Sequence, residues 1–373
     1  MFAVKEVRDP IADLRSTISL SRSFVPLKSL RHSFLEDLFL HVQSQSIFKG
    51  EKIFELGAHD KQFIYLTSGR VSLHYPSGRV VFVDAALSIL PLCHQQPRPC
   101  FARAEEDCVV LRIDSDRLDR TLSWSQMTDY LISQLALNRD LDGHLEWCRT
   151  VLSSNLFFKV PPVNAEQIFS RMSPRYVQAR EIIIEQGEHG EGCYFLKRGE
   201  ADILRDGKRI AQIVPGRCFG EDALVSGKPR NATVRMLSDG ELMCLAKEDF
   251  LLLLREPVVE ELSAADIDNL PGTPIFLDVR TDAEYMLGHL AYSANCPLNV
   301  LALQQRLLST GELYIVYCDS GRRSRAAAYF LGKSGFNVVC LKGGLHKQVM
   351  YEHLVSEPSY LLREGKLILS NGC

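Results

Sequence analysis

The sequence predicts a multidomain chain, with two mainly antiparallel β domains followed by an α/β domain that has a parallel sheet. A chain of 373 residues is too long for one compact core, so two or three domains are expected. A diverged internal repeat predicts the two β domains. After residue 263, short apolar strands alternate with helical patterns, which is typical of a parallel sheet covered by helices.

The repeat is visible where each β domain begins. The residues Lys-Ile-Phe-Glu-Leu-Gly at 52–57 correspond to Ile-Ile-Ile-Glu-Gln-Gly at 182–187, and the same offset relates Gly69 to Gly199. A fixed offset through strand, turn and strand indicates a domain duplication. Each copy continues with aromatic and alternating strands and a tight glycine turn, a pattern that predicts an antiparallel sandwich or barrel.

Helical patterns bracket the two copies. Apolar residues recur at three- and four-residue steps over 30–42 and 126–152, and a further helix begins at Lys247 and ends near Pro257, which cannot continue it. The helix over 126–152 carries a row of leucines for which we favour packing against the β domains over a homodimer seam: Leu131, Leu135, Leu141 and Leu145.

The α/β part is built from short elements in strict alternation. Its predicted order is strand, helix, strand, helix, strand, helix, over 274–279, 283–290, 313–318, 324–334, 337–341 and from 345 onward. The predicted domains and segments are a first β domain at 25–125, a connector at 126–152, a second β domain at 153–262, the α/β domain at 264–355 and a tail at 356–373.

Bulk composition excludes several classes of protein. The formal net charge of -3 argues against a general affinity for nucleic acid or for an anionic membrane. No apolar run approaches the ~18–20 residues that cross a bilayer, and residues 1–22 lack the apolar core of a secretory signal. We therefore expect a cytoplasmic protein with no nucleic-acid or membrane partner.

The eleven cysteines follow no regular spacing, and an odd number in a chain without a signal predicts reduced thiols. The cluster of Cys93, His94, Cys100 and Cys108 lacks the paired spacing of a zinc site, so no metal and no resident cofactor are expected.

A run between 217 and 235 carries the groups that a phosphorylated sugar needs. Gly220 lets the backbone approach a ligand closely, at the predicted start of a short helix where free amides favour an anion. Glu221 can accept hydrogen bonds from sugar hydroxyls, and Arg230 can hold two phosphate oxygens at once. Ala232 is small enough to leave room for the ligand. A buried-type Glu–Arg ion pair on a turn is the alternative.

This run resembles the phosphate-binding cassette of the cyclic nucleotide-binding domain family. The resemblance implies a β-roll with a helical lid, cyclic AMP or cyclic GMP as a regulatory ligand, Glu221 on the ribose and Arg230 on the cyclic phosphate. Asn231, which follows the arginine, favours cyclic AMP weakly. The implied nucleotide-binding residues are Phe219, Gly220, Glu221, Asp222, Ala223, Arg230, Asn231 and Ala232.

The first copy departs from this pattern. Pro97-Arg98 aligns with Pro229-Arg230, but Leu-Ser-Ile stands at 87–89 where Phe-Gly-Glu is required, and Cys100 replaces the small alanine. We predict a structural or dimerising domain that does not bind nucleotide; a different ligand stays open.

A second group of reactive residues surrounds Cys318, which ends a predicted strand just before a helix. Backbone amides, the helix dipole and the side chains of Arg322 and Arg323 are expected to favour the thiolate and to lower the pKa from about 8.5. Such a thiolate can accept a sulfane sulfur from an anionic donor and pass it to a nucleophile. This chemistry requires that the sulfur face a cavity.

Residues from about 264 to 350 resemble the rhodanese (sulfurtransferase) family. The resemblance rests on Leu277–Arg280, Glu284-Tyr285, Gly288-His289, Ala294–Pro297, Cys318–Ser324 and Lys342–Leu345. It implies that Cys318 carries a persulfide, while Asp278, Arg280 and Glu284 belong to the scaffold. The loop that would hold the anionic donor comprises Asp319, Ser320, Gly321, Arg322, Arg323 and Ser324.

Related chemistries fit less well. Tyrosine phosphatases need an arginine six places after the cysteine, where this chain has Ser324, with Arg325 one position too far. Two basic residues in the loop favour a small dianion such as thiosulfate over mercaptopyruvate. A transcription regulator would place a helix-turn-helix after the sensor, and an α/β domain stands there instead.

The predicted function is therefore a cyclic nucleotide-regulated sulfurtransferase whose partners are an anionic sulfur donor and a thiol or protein sulfur acceptor. The helix near 247–262 links the cassette to the enzyme and is expected to transmit the signal. The alternative is a non-catalytic docking module gated by nucleotide.

Overall fold

The computed structural model describes residues 19, 21–137, 147, 151–152, 160–270, 272–347, 354–356 and 360–369. The described residues group into two compact units. One comprises those within 1–125, 260–298 and 306–373, and the other those within 126–259 and 299–305. The first unit thus contains the first β domain together with most of the α/β domain, and the second contains the second β domain.

The first β domain lies between two helices, α1 (His32–Phe39) and α2 (Ser115–Leu137). Its two antiparallel sheets have the orders β1-β7-β3 and β2-β6-β4-β5 and enclose an apolar core that includes Ile64, Leu66, Val71 and Val110. The strands are β1 (Gln43–Ile47), β2 (Lys52–Phe54), β3 (Gln62–Ser68), β4 (Arg70–His74), β5 (Val80–Asp84), β6 (Phe101–Ala104) and β7 (Cys108–Asp114).

The second β domain has the same plan. Its antiparallel sheets have the orders β13-β10-β15-β8 and β12-β11-β14-β9, around a core that includes Leu196, Met236 and Leu242. The elements are α3 (Ala165–Arg171), β8 (Ser173–Val177), β9 (Ile182–Ile184), β10 (Gly192–Arg198), β11 (Ala201–Arg205), β12 (Lys208–Ile213), β13 (Cys218–Phe219), α4 (Glu221–Ser226), β14 (Thr233–Met236), β15 (Gly240–Ala246) and α5 (Lys247–Leu253).

Equivalent strands occupy equivalent positions in the two copies, which confirms the predicted duplication. The difference lies between the fifth strand of each copy and the strand that returns to the core. The second copy places β13 and α4 there, whereas residues 85–100 of the first copy form turns and irregular backbone. In this stretch the Ile89 carbonyl accepts a hydrogen bond from the Val25 amide at 2.8 Å, so the segment that corresponds to the cassette contacts the chain near Val25.

The α/β domain is built on a seven-stranded sheet of order β16-β21-β20-β17-β19-β23-β24, parallel except for its last pair. This confirms the predicted parallel sheet. Its strands are β16 (Glu261–Leu262), β17 (Ile275–Asp278), β19 (Ser293–Asn295), β20 (Leu313–Tyr317), β21 (Asn337–Leu341), β23 (Tyr360–Arg363) and β24 (Lys366–Leu369). Strands β18 (His289–Leu290) and β22 (Leu354–Val355) form a separate antiparallel pair.

In the described part of this region the α-helices are α6 (Asp282–Leu287), α7 (Leu301–Gln304), α8 (Arg322–Lys333) and α9 (Gly344–Lys347). Helix α8 buries Ala326, Ala327 and Ala328, and small side chains allow a helix to approach a sheet closely. Helix α6 begins at a capping box in which the Thr281 hydroxyl and the Glu284 carboxylate each bond the other's backbone amide.

Two sequence predictions differ from the structure or lie partly outside it. Part of the predicted tail at 356–373 forms the β23–β24 hairpin, and β23 pairs with β19, because its apolar residues can extend the open edge of the sheet. The predicted connector is described only as far as Leu137 and at residues 147 and 151–152, so Leu141 and Leu145 lie outside the described residues. No helix within the described ranges is long and apolar enough to cross a bilayer.

Candidate functional site

The cassette of the second β domain starts where β13 ends and α4 begins. Gly220 lies at this junction with φ +87°, and a Cβ there would come within 2.8 Å of both the Arg230 Nη1 and the Ile184 Cδ1. Only glycine fits both the backbone conformation and this space. Gly220 is therefore required so that backbone and guanidinium can lie against each other.

Arg230 is held almost entirely by backbone. Its side chain is 7% exposed, and the guanidinium donates to the Gly220 carbonyl and, at 2.6 Å, to the Gly192 carbonyl. Its own backbone is fixed by the turn at Gly187 and Glu188 through hydrogen bonds of 2.9 and 2.8 Å. Both of these acceptors are neutral carbonyl oxygens, so these two hydrogen bonds do not neutralise the charge of the guanidinium.

The remaining cassette residues line the same turn. Glu221, 6% exposed, directly follows the glycine whose carbonyl accepts a hydrogen bond from Arg230. Phe219 is buried and stacks on Tyr194 with ring centroids 5.5 Å apart. Ala232 is buried, Ala223 is partly exposed, and Asp222 and Asn231 are exposed.

The equivalent arginine of the first copy is in a different electrostatic state. Arg98 is 1% exposed and bonds both carboxylate oxygens of Asp60, at 2.8 and 3.1 Å from Nη2, as well as the carbonyls of Leu92, Cys93 and Gln62. Burial disfavours the charged carboxylate, but the pair with Arg98 holds the pKa of Asp60 below its ordinary value. A carboxylate thus already neutralises Arg98, which supports the prediction that this copy does not bind nucleotide.

The second candidate site lies at the end of β20. Cys318 follows the strand, and Gly321 caps the N-terminus of α8. The Gly321 amide donates to the Cys318 Sγ at 3.1 Å, and the Ser324 Oγ lies 3.5 Å from the same sulfur. The sulfur thus contacts polar groups at a helix N-terminus, as the sequence predicted.

The ionisation of this thiol differs from the sequence prediction. Cys318 is 0% exposed, and its burial raises the pKa above the ordinary value. The Arg323 guanidinium acts in the opposite direction, and the Asp119 carboxylate of α2 raises the pKa further. The prediction of a lowered pKa is therefore wrong in this conformation. Removing the thiolate from water disfavours it by more free energy than the nearby cation and the helix dipole contribute in its favour.

The two loop arginines are both bound to carboxylates, which the sequence did not predict. Arg323 is buried and forms a bidentate pair with Glu284 at 2.8 and 2.9 Å. Arg322 reaches Asp119, with 3.5 Å between Nε and Oδ2, and Asp116, with 3.3 Å between Nη2 and Oδ1. The positive potential expected around the sulfur is thus largely compensated in this conformation.

Scaffold residues fix the loop from the side of the sheet. Asp278 pairs with Arg280 at 2.7 Å, and Arg280 in turn reaches Asp319 at 3.2 Å, while Arg323 reaches the other Asp319 oxygen at 3.3 Å. Burial alone would raise the pKa of Asp319, but Arg280 and the neighbouring cations hold it well below the ordinary value. Asp278, Arg280 and Glu284 all form ion pairs in this region, and their role as scaffold residues stays a prediction.

The closing glycine motif holds the loop from the other side. Leu345 and His346 donate backbone hydrogen bonds to the Cys318 and Asp319 carbonyls, both at 2.9 Å. A Cβ at Gly344 would overlap the Cys318 carbonyl oxygen and lie 2.5 Å from that of Asp319. This position therefore requires glycine, because the two backbones are in direct contact.

Sequence reasoning missed the residues that the first β domain places at this loop. The Ser320 Oγ donates to the Asp119 carboxylate at 2.6 Å, although the two residues lie 201 positions apart. Burial lowers the pKa of His94 to about 4, and this histidine interacts electrostatically with Asp319 and His346. No local pattern in the sequence indicates a contact between such distant segments.

Comparison with known proteins identifies the domains. The cyclic nucleotide-binding domain family matches residues 45–123 and 174–256, and the rhodanese-like domain family matches residues 259–349. A cAMP-dependent protein kinase regulatory subunit from Eremothecium gossypii is 24% identical over 265 residues, which cover 70% of this chain and 54% of the relative. The chain thus spans about half the length of this curated relative.

Solved structures show weaker overall likeness. The regulatory domain of Toxoplasma gondii PKA with cAMP is 18% identical, covering 68% of this chain and 95% of that chain with a TM-score of 0.24. The Thermus thermophilus catabolite activator protein is 30% identical, covering 27% of this chain and 49% of that chain with a TM-score of 0.25. The family matches and the sheet orders above agree: the chain carries two cyclic nucleotide-binding domains followed by a rhodanese-like domain.

Proposed function

We propose that the protein is a sulfurtransferase that carries sulfane sulfur on Cys318 and is regulated by cyclic AMP bound to the second β domain. The observation that carries the proposal is the pair of polar contacts on the Cys318 sulfur, from the Gly321 amide and the Ser324 hydroxyl. A structural cysteine in an apolar core does not need such partners, whereas a thiolate and a persulfide anion are stabilised by them.

The transfer reaction uses the sulfur twice. The Cys318 thiolate attacks the sulfane sulfur of thiosulfate, the sulfur–sulfur bond of the donor breaks, and sulfite leaves with the electron pair. The product is a Cys318 persulfide. A nucleophilic acceptor such as cyanide or a thiolate then attacks the outer sulfur and leaves the Cys318 thiolate as it was. The Gly321 amide remains in place to stabilise the negative charge in both states.

Cyclic nucleotide is the ligand that the second cassette fits. Arg230 supplies a buried cation, held by the carbonyls of Gly220 and Gly192, for the cyclic phosphate, and Glu221 supplies a buried carboxylate for the ribose hydroxyl. Related chains are named cAMP-dependent protein kinase regulatory subunits, and a PKA regulatory domain was solved with cAMP. These names favour cyclic AMP over cyclic GMP for this chain.

The path of the chain supplies a route for regulation. Helix α5 follows the last strand of the second β domain, and after residues 254–260 the chain enters β16. Strand β16 pairs with β21 through Cys340 and Leu341, and the Cys340 thiol contacts the Ser324 hydroxyl at 3.2 Å. A displacement of β16 would therefore reach a group that contacts the Cys318 sulfur.

We expect saturating cyclic AMP to change the kcat/KM of thiosulfate:cyanide sulfur transfer by about 5- to 150-fold, the usual range for coupling between two sites. The measurement is the initial rate of thiocyanate formation by the full chain with and without the nucleotide. An identical rate at saturation, with binding shown by calorimetry, would remove the regulatory part of the proposal and leave both domain assignments intact.

A second candidate function is a docking module without catalysis. Two observations favour it: Cys318 is completely buried, and both loop arginines are paired with carboxylates. In such a module the nucleotide would control access of a partner protein to the rhodanese surface. The serine variant of Cys318 separates the two functions.

A further inference from the structure

The first β domain covers the rhodanese loop with negative charge. The Asp119 carboxylate accepts the Ser320 hydroxyl at 2.6 Å and lies 3.5 Å from the Arg322 Nε, and Asp116 lies 3.3 Å from the Arg322 Nη2. All of these residues belong to the same compact unit. Asp119 is thus an anion bound by two loop residues, Ser320 and Arg322, that the sequence assigned to the anionic sulfur donor.

The position of the Asp119 carboxylate at the loop is not explained by a gain in folding stability. Asp119 is mostly buried, and burial raises its pKa despite the opposing effect of Arg323 and Ser320. A buried carboxylate costs free energy that its ion pairs offset only in part. The same charge also disfavours the Cys318 thiolate, as the raised pKa of that thiol shows.

We propose that the first β domain is an inhibitory lid on the rhodanese loop, and that Asp119 takes the place of the anionic sulfur donor. The proposal rests on the sulfurtransferase function proposed above. An inhibitory role would give a function to the first β domain, in which Asp60 already neutralises Arg98. Thiosulfate must displace Asp119 from Ser320 and Arg322 before it reaches the sulfur, so donor binding and lid opening compete.

The test is Asp119→Asn in the full chain, with two readouts. The first is the rate at which iodoacetamide alkylates Cys318, followed by mass spectrometry of the peptide; this readout does not depend on catalysis. The second is the KM for thiosulfate. We expect faster alkylation and a KM lower by about 10-fold, which corresponds to about 1.4 kcal/mol, because the variant removes the negative charge that competes with the donor.

The pH dependence of the alkylation rate is a third, independent readout of the lid. Asp119 raises the pKa of Cys318, so its removal should move the midpoint of alkylation to lower pH. Within the described part of the chain, the charged or titratable groups that also act on this sulfur include Arg323, which the variant leaves in place, and Cys340, whose own pKa burial raises to about 12. Asp84→Asn is the matched control, because Asp84 pairs with Arg70 on the surface of the same domain at 3.4 Å.

Each outcome decides one point. Unchanged alkylation and unchanged KM in a variant that melts like the wild type would overturn the lid. Faster alkylation without sulfur transfer in either protein would support the lid and remove the sulfurtransferase function. If Asp119→Asn does not fold, Asp119→Ala offers the same comparison without a buried polar amide.

A different observation carries a second inference, a thiol pair in the first β domain. The Cys93 and Cys100 sulfur atoms lie 3.2 Å apart, and the Tyr75 hydroxyl lies 3.4 Å from Cys93. Cys93 is partly exposed, whereas Cys100 is buried. The Cys100 hydrogen bond, with smaller contributions from Tyr75 and Arg98, lowers the pKa of Cys93 to about 7. A dithiol switch requires an accessible thiol that ionises readily, here Cys93, and a second thiol beside it, here the buried Cys100.

We infer that a hydroperoxide converts this pair into a reversible disulfide. The Cys93 thiolate attacks one peroxide oxygen, the O–O bond breaks, and Cys93 becomes a sulfenic acid. The Cys100 sulfur then attacks the Cys93 sulfur and expels water, so that two thiols and one hydrogen peroxide give one disulfide and two waters. The disulfide would close a loop that contains His94. This histidine interacts electrostatically with Asp319 of the rhodanese loop.

The experiment treats the full chain with hydrogen peroxide, alkylates the remaining thiols and weighs the peptide that contains both cysteines. We expect a loss of two hydrogen masses in place of two alkyl groups, reversed by dithiothreitol and absent in Cys93→Ser and Cys100→Ser. Cys108→Ser should retain the disulfide, because the Cys108 thiol bonds backbone carbonyls of Arg70 and Glu106 instead. Oxidation of Cys93 to its sulfinic acid without a disulfide would overturn the inference.

Discussion

Serine in place of Cys318 is expected to abolish sulfur transfer, with a fall in the rate of thiocyanate formation by about 1000-fold or more, as for loss of a covalent nucleophile elsewhere. A serine hydroxyl stays protonated and cannot hold a sulfane sulfur as a persulfide. The smaller oxygen fits the same space and can still accept from the Gly321 amide, so the fold should survive. The measurement pairs the steady-state rate with intact mass spectrometry after incubation with thiosulfate.

The control for this variant is Cys296→Ala. Cys296 is buried in the same domain, and burial raises its pKa to about 12, so it should take no part in the chemistry. Wild type and control should gain the mass of one sulfur atom, and Cys318→Ser should not. If Cys318→Ser retains the biological effect of the wild type while transfer is lost, the docking module is the better description of the protein.

Most of the fold was predictable because each signal is a short motif of neighbouring residues. Such motifs include the glycine turns, the strand patterns that recur in the two copies, and the alternation of strands and helices after residue 263. The sheet orders agree with these predictions. The β23–β24 hairpin escaped prediction, since short apolar strands at 360–369 carry no period that separates them from a loop.

The sequence was sufficient to predict which residues form the candidate sites, but not which charged groups pair with them. The sequence indicates which residues form the loop around Cys318, and the positions of Gly321 and Ser324 follow from the strand–loop–helix pattern. The sequence does not show that Asp119 lies against Ser320, because this contact depends on tertiary packing. The predicted thiolate was wrong for this reason: burial and a distant carboxylate set the pKa of Cys318.

Replacement of Arg230 by alanine is expected to weaken cyclic AMP binding by about 100-fold or more, since two charge-assisted hydrogen bonds at roughly 1.5–3 kcal/mol each would be lost. The guanidinium is fixed by the carbonyls of Gly220 and Gly192 before any ligand arrives, so little ordering cost offsets its attraction for phosphate. Isothermal titration calorimetry of the full chain measures both the affinity and the stoichiometry. Unaltered affinity would remove the assignment of this cassette.

The matched control for Arg230 is Arg175→Ala, since Arg175 lies on the surface of the same domain and pairs with Glu181 at 2.8 Å. The stoichiometry tests the two copies against each other. One nucleotide per wild-type chain is expected, because Asp60 already neutralises Arg98 in the first copy. A second equivalent that persists in Arg230→Ala would show that the first copy binds nucleotide despite its ion pair, and would then make the inhibitory lid itself a target of the ligand.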